Sequence, residues 1–492
     1  MMKRRPYALW IASMVTLVVM LVLPCSMPGQ AIPASETIPA KLLQDDFQIL
    51  RHALEESHGG LYRYTSKADM DRTFDQAHKK IDCPMTALEF WALVAPVVAH
   101  IKDSHLVTWW PQDFENAHAP WRQAPLLPVS VRVFGGRLFV YRDFSSDDHM
   151  LEGGEILSIN GLPAKQIVKK MMTIYTGEGN STTAAPYIIG HNTYFNTALW
   201  GLMKIESPFQ VVYQNTQGER RSVEITGKVF ADLETAEAAR DPALKTAADL
   251  KFLDGGKVAV LTVRSFEEYV DPQQKLTIHN FLQQSFEQIC DRQSSSLIID
   301  VRDDSGGPDA PGAQLFSYLW DQPFAYYKDE RINALAYDFY KYCLGAKPLP
   351  ADLVEKRADG KFHYRNRPGL GLQQPSQPHF GGKVFALMNG GSASTTCEFL
   401  SMLPLHKRGV LIGEEAAGGY YGCTCGFRVL LTLPNSKVRV PLGMVTYDYA
   451  AADYKYASRG MIPDYPVTHT INDLLAGKDS DMELALSLAR SK

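Results

Sequence analysis

Several familiar signatures are missing from this chain. No HExxH occurs anywhere, and Cys423 and Cys425 lack the CxxC spacing of many zinc sites, so no metal centre and no cofactor are expected. Cysteine is scarce: 7 in 492 residues, of which Cys25 lies near the N-terminus. The other six, Cys83, Cys290, Cys343, Cys397, Cys423 and Cys425, are too few for a disulfide scaffold in so long a chain, although an oxidising compartment would permit some pairing. There is no block of basic residues and the net charge is −4, which gives no reason to expect nucleic acid binding. Internal repeats and long low-complexity tracts are also absent.

What is present is a chain with 45% hydrophobic and 11% aromatic residues, enough to bury a large core in more than one domain. It opens with Lys3, Arg4 and Arg5, then an apolar run from Ala8 to Leu23 ended by Pro24, with small residues Gly29 and Ala31 at −3 and −1 of a cleavage site. That is the anatomy of a secretory signal peptide over 1–31, and the mature protein is expected to be exported, periplasmic or extracellular. Contact with a membrane is expected only if the segment stays uncleaved as an anchor. Removal of the three basic residues would take the net charge from −4 to −7.

Periodicity then divides the chain. Residues 32–118 read as helical: Leu42, Leu43, Phe47, Leu50 and Leu54 fall on one face, "DMDRTFDQAHKKI" makes a second helix and "MTALEFWALVAPVVAHI" a third. Residues 119–232 change to short alternating runs, with a hairpin at Gly135-Gly136, a strand "EILSING" entering an Asn-Gly turn, and a closing hairpin "FQVVYQNTQGERRSVEIT". Residues 233–250 are Ala-rich and charged, and read as a linker helix at a domain boundary. From 251 to 492 strands and helices alternate, which predicts a layered α/β domain with largely parallel strands.

Three stretches carry residues suited to catalysis. "MNGGSASTTCEFLSML" (388–403) takes a strand through two glycines into a helix, so Ser394 either caps the helix or serves as a nucleophile beside its free N–H groups. The esterase elbow G-x-S-x-G does not fit. "LIIDVRDDSGG" (297–307) is a second strand emptying into Gly306-Gly307, whose backbone N–H groups would face a site at the strand ends, while Asp300 and Arg302 suit a structural ion pair. "HIKDSHLVTWWP" (100–111) sets His105 just past an apolar helix, flanked by Asp103 and Ser104; it is either a satisfied histidine or a base for a serine proton.

Together with "GKVFALMNGGSASTTCEF", "KRGVLIGEEAAGG" and "SRGMIPDYPV", these motifs resemble the C-terminal processing (tail-specific) protease family of serine peptidases. The resemblance implies a crotonase-like catalytic core at 251–492, and "EILSINGLPAKQI" resembles the second half of a PDZ-like domain, although a Gly-Leu-Gly-Phe-type carboxylate loop is not evident. It implies Ser394 as nucleophile, with oxyanion donors from the N–H of Thr395 and of Gly306 or Gly307. One departure is important: Gly419 stands where tail-specific members carry a general-base Lys, and no Lys occurs from 409 to 436. "DSHL" instead resembles the Ser-His pair of the tricorn-like branch, which implies His105 as base, oriented by Ser104. The carboxylate fixing the imidazole is expected in "VTYDYAAADYKY", at Asp448 or Asp453, with Glu415 behind them, whereas Glu414 is expected to be structural. Peptides or proteins are then the expected substrates. The competing reading is an exported binding protein for a peptide or small apolar ligand, because retinoid-binding modules resemble these proteases without being peptidases. An esterase or amidase would use the same site.

Overall fold

The computed structural model describes residues 36–491 except 112–118, 146–150, 192, 241–245, 452–455 and 457. The signal-peptide expectation and Asp453 lie outside the described residues. Among these residues no helix is long and apolar enough to cross a membrane. The chain divides into two compact units, one holding 112–171 and 189–245, the other 37–111, 172–188 and 246–492.

The first unit is β-rich. Strands Val129–Phe134, Arg137–Asp143, Glu155–Ile159, Phe209–Gln214 and Arg220–Ile225 form an antiparallel sheet in that order. Both expected hairpins are there, Val129–Phe134 with Arg137–Asp143 and Phe209–Gln214 with Arg220–Ile225, and so is the Asn-Gly turn after Glu155–Ile159. Gly135 and Gly136 have φ of 57° and 75°, and Asn160 and Gly161 have 47° and 79°, the left-handed pairs that let two-residue turns match strand twist. The helix Ala164–Met171 follows.

The second unit is built on a six-stranded sheet. Its order is Tyr465–Pro466, Val410–Gly413, Lys383–Met388, Ser296–Asp300, Val258–Val263, Ala248–Leu253. All neighbours are parallel except the last pair. Central strands read as unbroken apolar runs because both sheet faces are covered: Leu297, Ile298 and Ile299 are all fully buried. The helices Ile278–Asp291, Asp309–Ser317, Thr395–Leu405 and Ser480–Arg490 accompany this sheet. A second sheet orders Val354–Lys356, Phe362–Tyr364, Tyr327–Ile332, Val445–Tyr449 and Gly422–Cys425.

Residues 233–250 depart from a continuous linker helix among the described residues. The helix is Phe230–Arg240, and Ala248–Leu253 is an edge strand paired antiparallel with Val258–Val263. Alternation of Ala248, Leu250 and Phe252, obscured in sequence by the preceding Ala-rich stretch, lets this strand put one face on the core.

The three N-terminal helices, Ala40–Ser57, Lys67–Lys79 and Ala87–Ala99, belong to the second unit. Thr86 and Glu89 form a capping box that starts the third of them. Asp46, fully buried on the first, accepts from Asn435 N–H (3.1 Å), Asn435 Nδ2 (2.8 Å), Ser436 N–H (2.6 Å) and Ser436 Oγ (2.6 Å), and so secures the turn between Val429–Thr432 and Arg439–Leu442.

Candidate active site

Two neighbouring parallel strands, Ser296–Asp300 and Lys383–Met388, end side by side, and their following turns are stitched together. Ser392 Oγ donates to Val301 O (2.8 Å), Ala393 N–H to Asp304 O (3.0 Å) and Thr395 Oγ1 to Gly307 O (2.7 Å). Ser392 and Thr395 thus spend their hydroxyls on the scaffold, whereas Ser394 makes no capping bond with its side chain. Its backbone has φ 55° and ψ −131°, a conformation that L-residues rarely adopt and that costs about 1–3 kcal/mol. Plain capping does not require that strain, because a capping Ser ordinarily sits in the extended region. The turn instead holds the hydroxyl at the N-terminus of Thr395–Leu405, where the helix dipole favours developing negative charge, although Thr396 N–H and Cys397 N–H already donate to Ala393 O (3.2 Å) and Ser394 O (2.7 Å).

The expected oxyanion donors are not equivalent. Gly306 N–H donates to Asp304 Oδ1 (2.8 Å), so that amide is committed, leaving Gly307 of the two. Gly306 has φ 96°, and a Cβ there would stand 2.7 Å from Ser394 Cβ and 2.9 Å from Thr395 N. The position is therefore glycine for close approach as well as for its dihedral. Asp304 is fully buried, and burial pushes its carboxyl up to about 8 despite the Gly306 N–H that favours the charged form.

His105 follows the third N-terminal helix. Its Nδ1 lies 3.3 Å from Ser104 Oγ, and Ser104 Oγ and N–H donate to Glu178 Oε2 at 2.9 and 3.1 Å. With that hydroxyl proton on Glu178, Ser104 Oγ is an acceptor for an Nδ1–H, which sets the tautomer with the lone pair on Nε2. Nε2 is buried and has no hydrogen-bond partner among the described residues, so the Ser394–His105 hydrogen bond is not formed in this structure. Catalytic hydrogen bonds often tighten only once substrate is bound.

Two carboxylates stand beside this histidine. Asp103 Oδ1 accepts from His105 N–H (2.8 Å) and lies 3.8 Å from Nδ1, while Oδ2 lies 3.3 Å from His58 Nε2. Burial opposes its charge, but the close imidazole of His58 and that of His105 hold it down to about 2. Glu178, equally buried, is raised by desolvation and by the nearby Asp103, against the pull of Arg63 at 3.3 Å. The Cys425 thiol also borders the ring. Burial would push the imidazole pKa down, but Cys425 and Asp103 leave it raised.

Of the carboxylates expected from sequence, Asp448 does not reach His105. It lies on Val445–Tyr449 in register with Asp329 and Gly422, and pairs with Arg331. Glu415 is saturated by Arg459, Thr182 and Gly460 N–H. Asp300 and Arg302 form the structural ion pair (2.8 Å), extended to Asp479 and Asp481. Glu178 was missed because it stands alone between glycines, outside any periodic segment. Asp103 was visible as a flanking residue, but its contact with the ring depends on the turn.

Gly418 and Gly419 link the two halves. A Cβ on Gly418 would stand 3.3 Å from Ser394 N, and one on Gly419 only 2.8 Å from Glu178 Cγ. The space a side chain at 419 would occupy is thus taken by Glu178.

Residues 257–467 match the model of Peptidase family S41. The fold resembles that of mature CPAF at 15% identity, covering 92% of this chain and 97% of that one, with a TM-score of 0.61. The structure of mature CPAF complexed with lactacystin gives 14% identity, 92% and 98% coverage and a TM-score of 0.62. Comparison with curated proteins finds no match. The match to Peptidase family S41 thus spans residues 257–467, which hold both Ser394 and the Gly306-Gly307 turn, and the likeness to mature CPAF is one of fold.

Proposed function

We propose that the protein is an exported serine peptidase of the His-base, tricorn-like kind, in which His105 deprotonates Ser394 for attack on a peptide carbonyl. The observation that carries this reading is that one compact unit holds both a strained, uncapped Ser394 and a buried, unpartnered His105 Nε2. His105 takes the Ser394 proton at Nε2, while Ser104 and Glu178 hold its Nδ1 side. The carbonyl oxygen gains negative charge between Thr395 N–H and Gly307 N–H. The protonated imidazole then hands its proton to the leaving amine, and water hydrolyses the acyl-enzyme by the reverse use of the same base. Each oxyanion donor is worth about a hundred- to a thousandfold in rate. Export follows from the N-terminal segment, and the antiparallel unit suits a PDZ-like role in presenting or gating peptides.

The test is hydrolysis of a mixed peptide library followed by mass spectrometry, with Ser394→Ala and His105→Ala controls. Cleavage that falls by about ten-thousandfold or more in both variants supports the reading. Undiminished cleavage in His105→Ala would refute the His base.

A further inference from the structure

Cys423 and Cys425 project from the same face of one strand, as residues two apart must, and that face meets the loop carrying His105. The two sulfurs and an imidazole nitrogen all lie within 4.8 Å of one another. Both thiols are free and buried, and the His105 side chain is 6% exposed. His105 Nε2 is an orphan here, a buried polar atom without a partner.

From this juxtaposition we infer that His105, Cys423 and Cys425 form a Cys2His site for a thiophilic transition metal ion, of which Zn2+ is the type, and that the bound ion inhibits the enzyme reversibly by occupying the nitrogen that would otherwise accept the Ser394 proton. Two thiolates and an imidazole are the donor set that selects such an ion over Mg2+ or Ca2+. Tetrahedral Zn–S and Zn–N bonds of about 2.3 and 2.0 Å set donor atoms roughly 3.5 Å apart, so the three ligands need to close by at most about 1.3 Å. Binding releases the protons of the thiols it deprotonates, and the fourth position is left for water. The spacing of the cysteines concealed the set in the sequence, because its third member comes from a distant loop.

The inhibitory half rests on His105 being the base; the binding half does not. The experiment titrates the full mature chain with Co2+ under a phosphine reductant, follows absorption, then adds Zn2+ and measures fluorophosphonate labelling. One Co2+ per chain with thiolate-to-cobalt charge transfer, displaced by Zn2+, is expected. Cys423→Ser/Cys425→Ser should lose that band, and Cys425→Ser alone should weaken binding at least tenfold, each with circular dichroism unchanged. Zn2+ should lower wild-type labelling more than tenfold and leave the labelling of the double variant insensitive to the ion. Binding without a charge-transfer band, binding unaltered in the serine variants, or a Cys423–Cys425 disulfide that resists the reductant would overturn the site. Tight binding with labelling unaffected would overturn the inhibition. Failure of the His-base reading shows separately, as metal-free His105→Ala labelling at the wild-type rate.

Discussion

Gly306 and Ser394 approach so closely that a methyl group on the glycine would stand 2.7 Å from Ser394 Cβ. The left-handed φ of 96° at Gly306 adds to that restriction. Gly306→Ala must therefore displace either the serine or the turn that presents Gly307 N–H. The expected outcome is a loss of at least a hundredfold in kcat/KM, since a misplaced oxyanion donor alone costs about that much. Peptide hydrolysis alongside thermal unfolding separates this loss from simple unfolding.

The strain at Ser394 predicts an opposed pair of effects. Ser394→Gly removes the side chain that disfavours φ 55°, ψ −131°, and should raise stability by about 1 kcal/mol while abolishing hydrolysis. Ser394→Ala removes the hydroxyl but keeps the strain, and should be inactive without that gain. Urea midpoints of the two variants make the comparison.

Asp46 is expected to be a stability residue with no part in chemistry. Asp46→Ala leaves the donors of Asn435 and Ser436 without their acceptor in a buried turn, at a cost of about 2–5 kcal/mol. Asp46→Asn keeps one acceptor oxygen and should cost less. A lower urea midpoint with unchanged slope is the signature.

Asp304 predicts a pH dependence of stability. Its carboxyl is raised from an ordinary value near 3.8 to about 8 by burial, so between those values the native state holds a proton that the unfolded state has released. Stability contributed by this group is therefore present at low pH and lost as pH rises through that interval, by about 1.4 kcal/mol per pH unit at most. Asp304→Asn keeps the acceptor for Gly306 N–H and carries no charge, so its stability curve should be flatter from pH 4 to 8. Denaturant midpoints across that range give the comparison.

Much of this was legible in the sequence because it is local. The strands Ser296–Asp300 and Lys383–Met388 announce themselves as apolar runs, and the glycines after them mark turns that place Ser394 beside a helix N-terminus. What a single pass along the chain does not show is which partners are already taken. Asp304 consumes the Gly306 amide, and Arg331 consumes Asp448. Glu178 reaches the histidine through Ser104 from a segment with no helix or strand pattern of its own. The absent lysine at 419 gains a physical reason as well, because Glu178 occupies the space next to that glycine. Pairings of this kind depend on register and on turns, which composition and periodicity do not encode.

The most direct test is fluorophosphonate labelling of the protein, with the labelled residue identified by mass spectrometry, in wild type, Ser394→Ala and His105→Ala. Label is expected on Ser394 in the wild type and on neither folded variant. Label on another residue, or wild-type labelling in His105→Ala, would contradict that expectation.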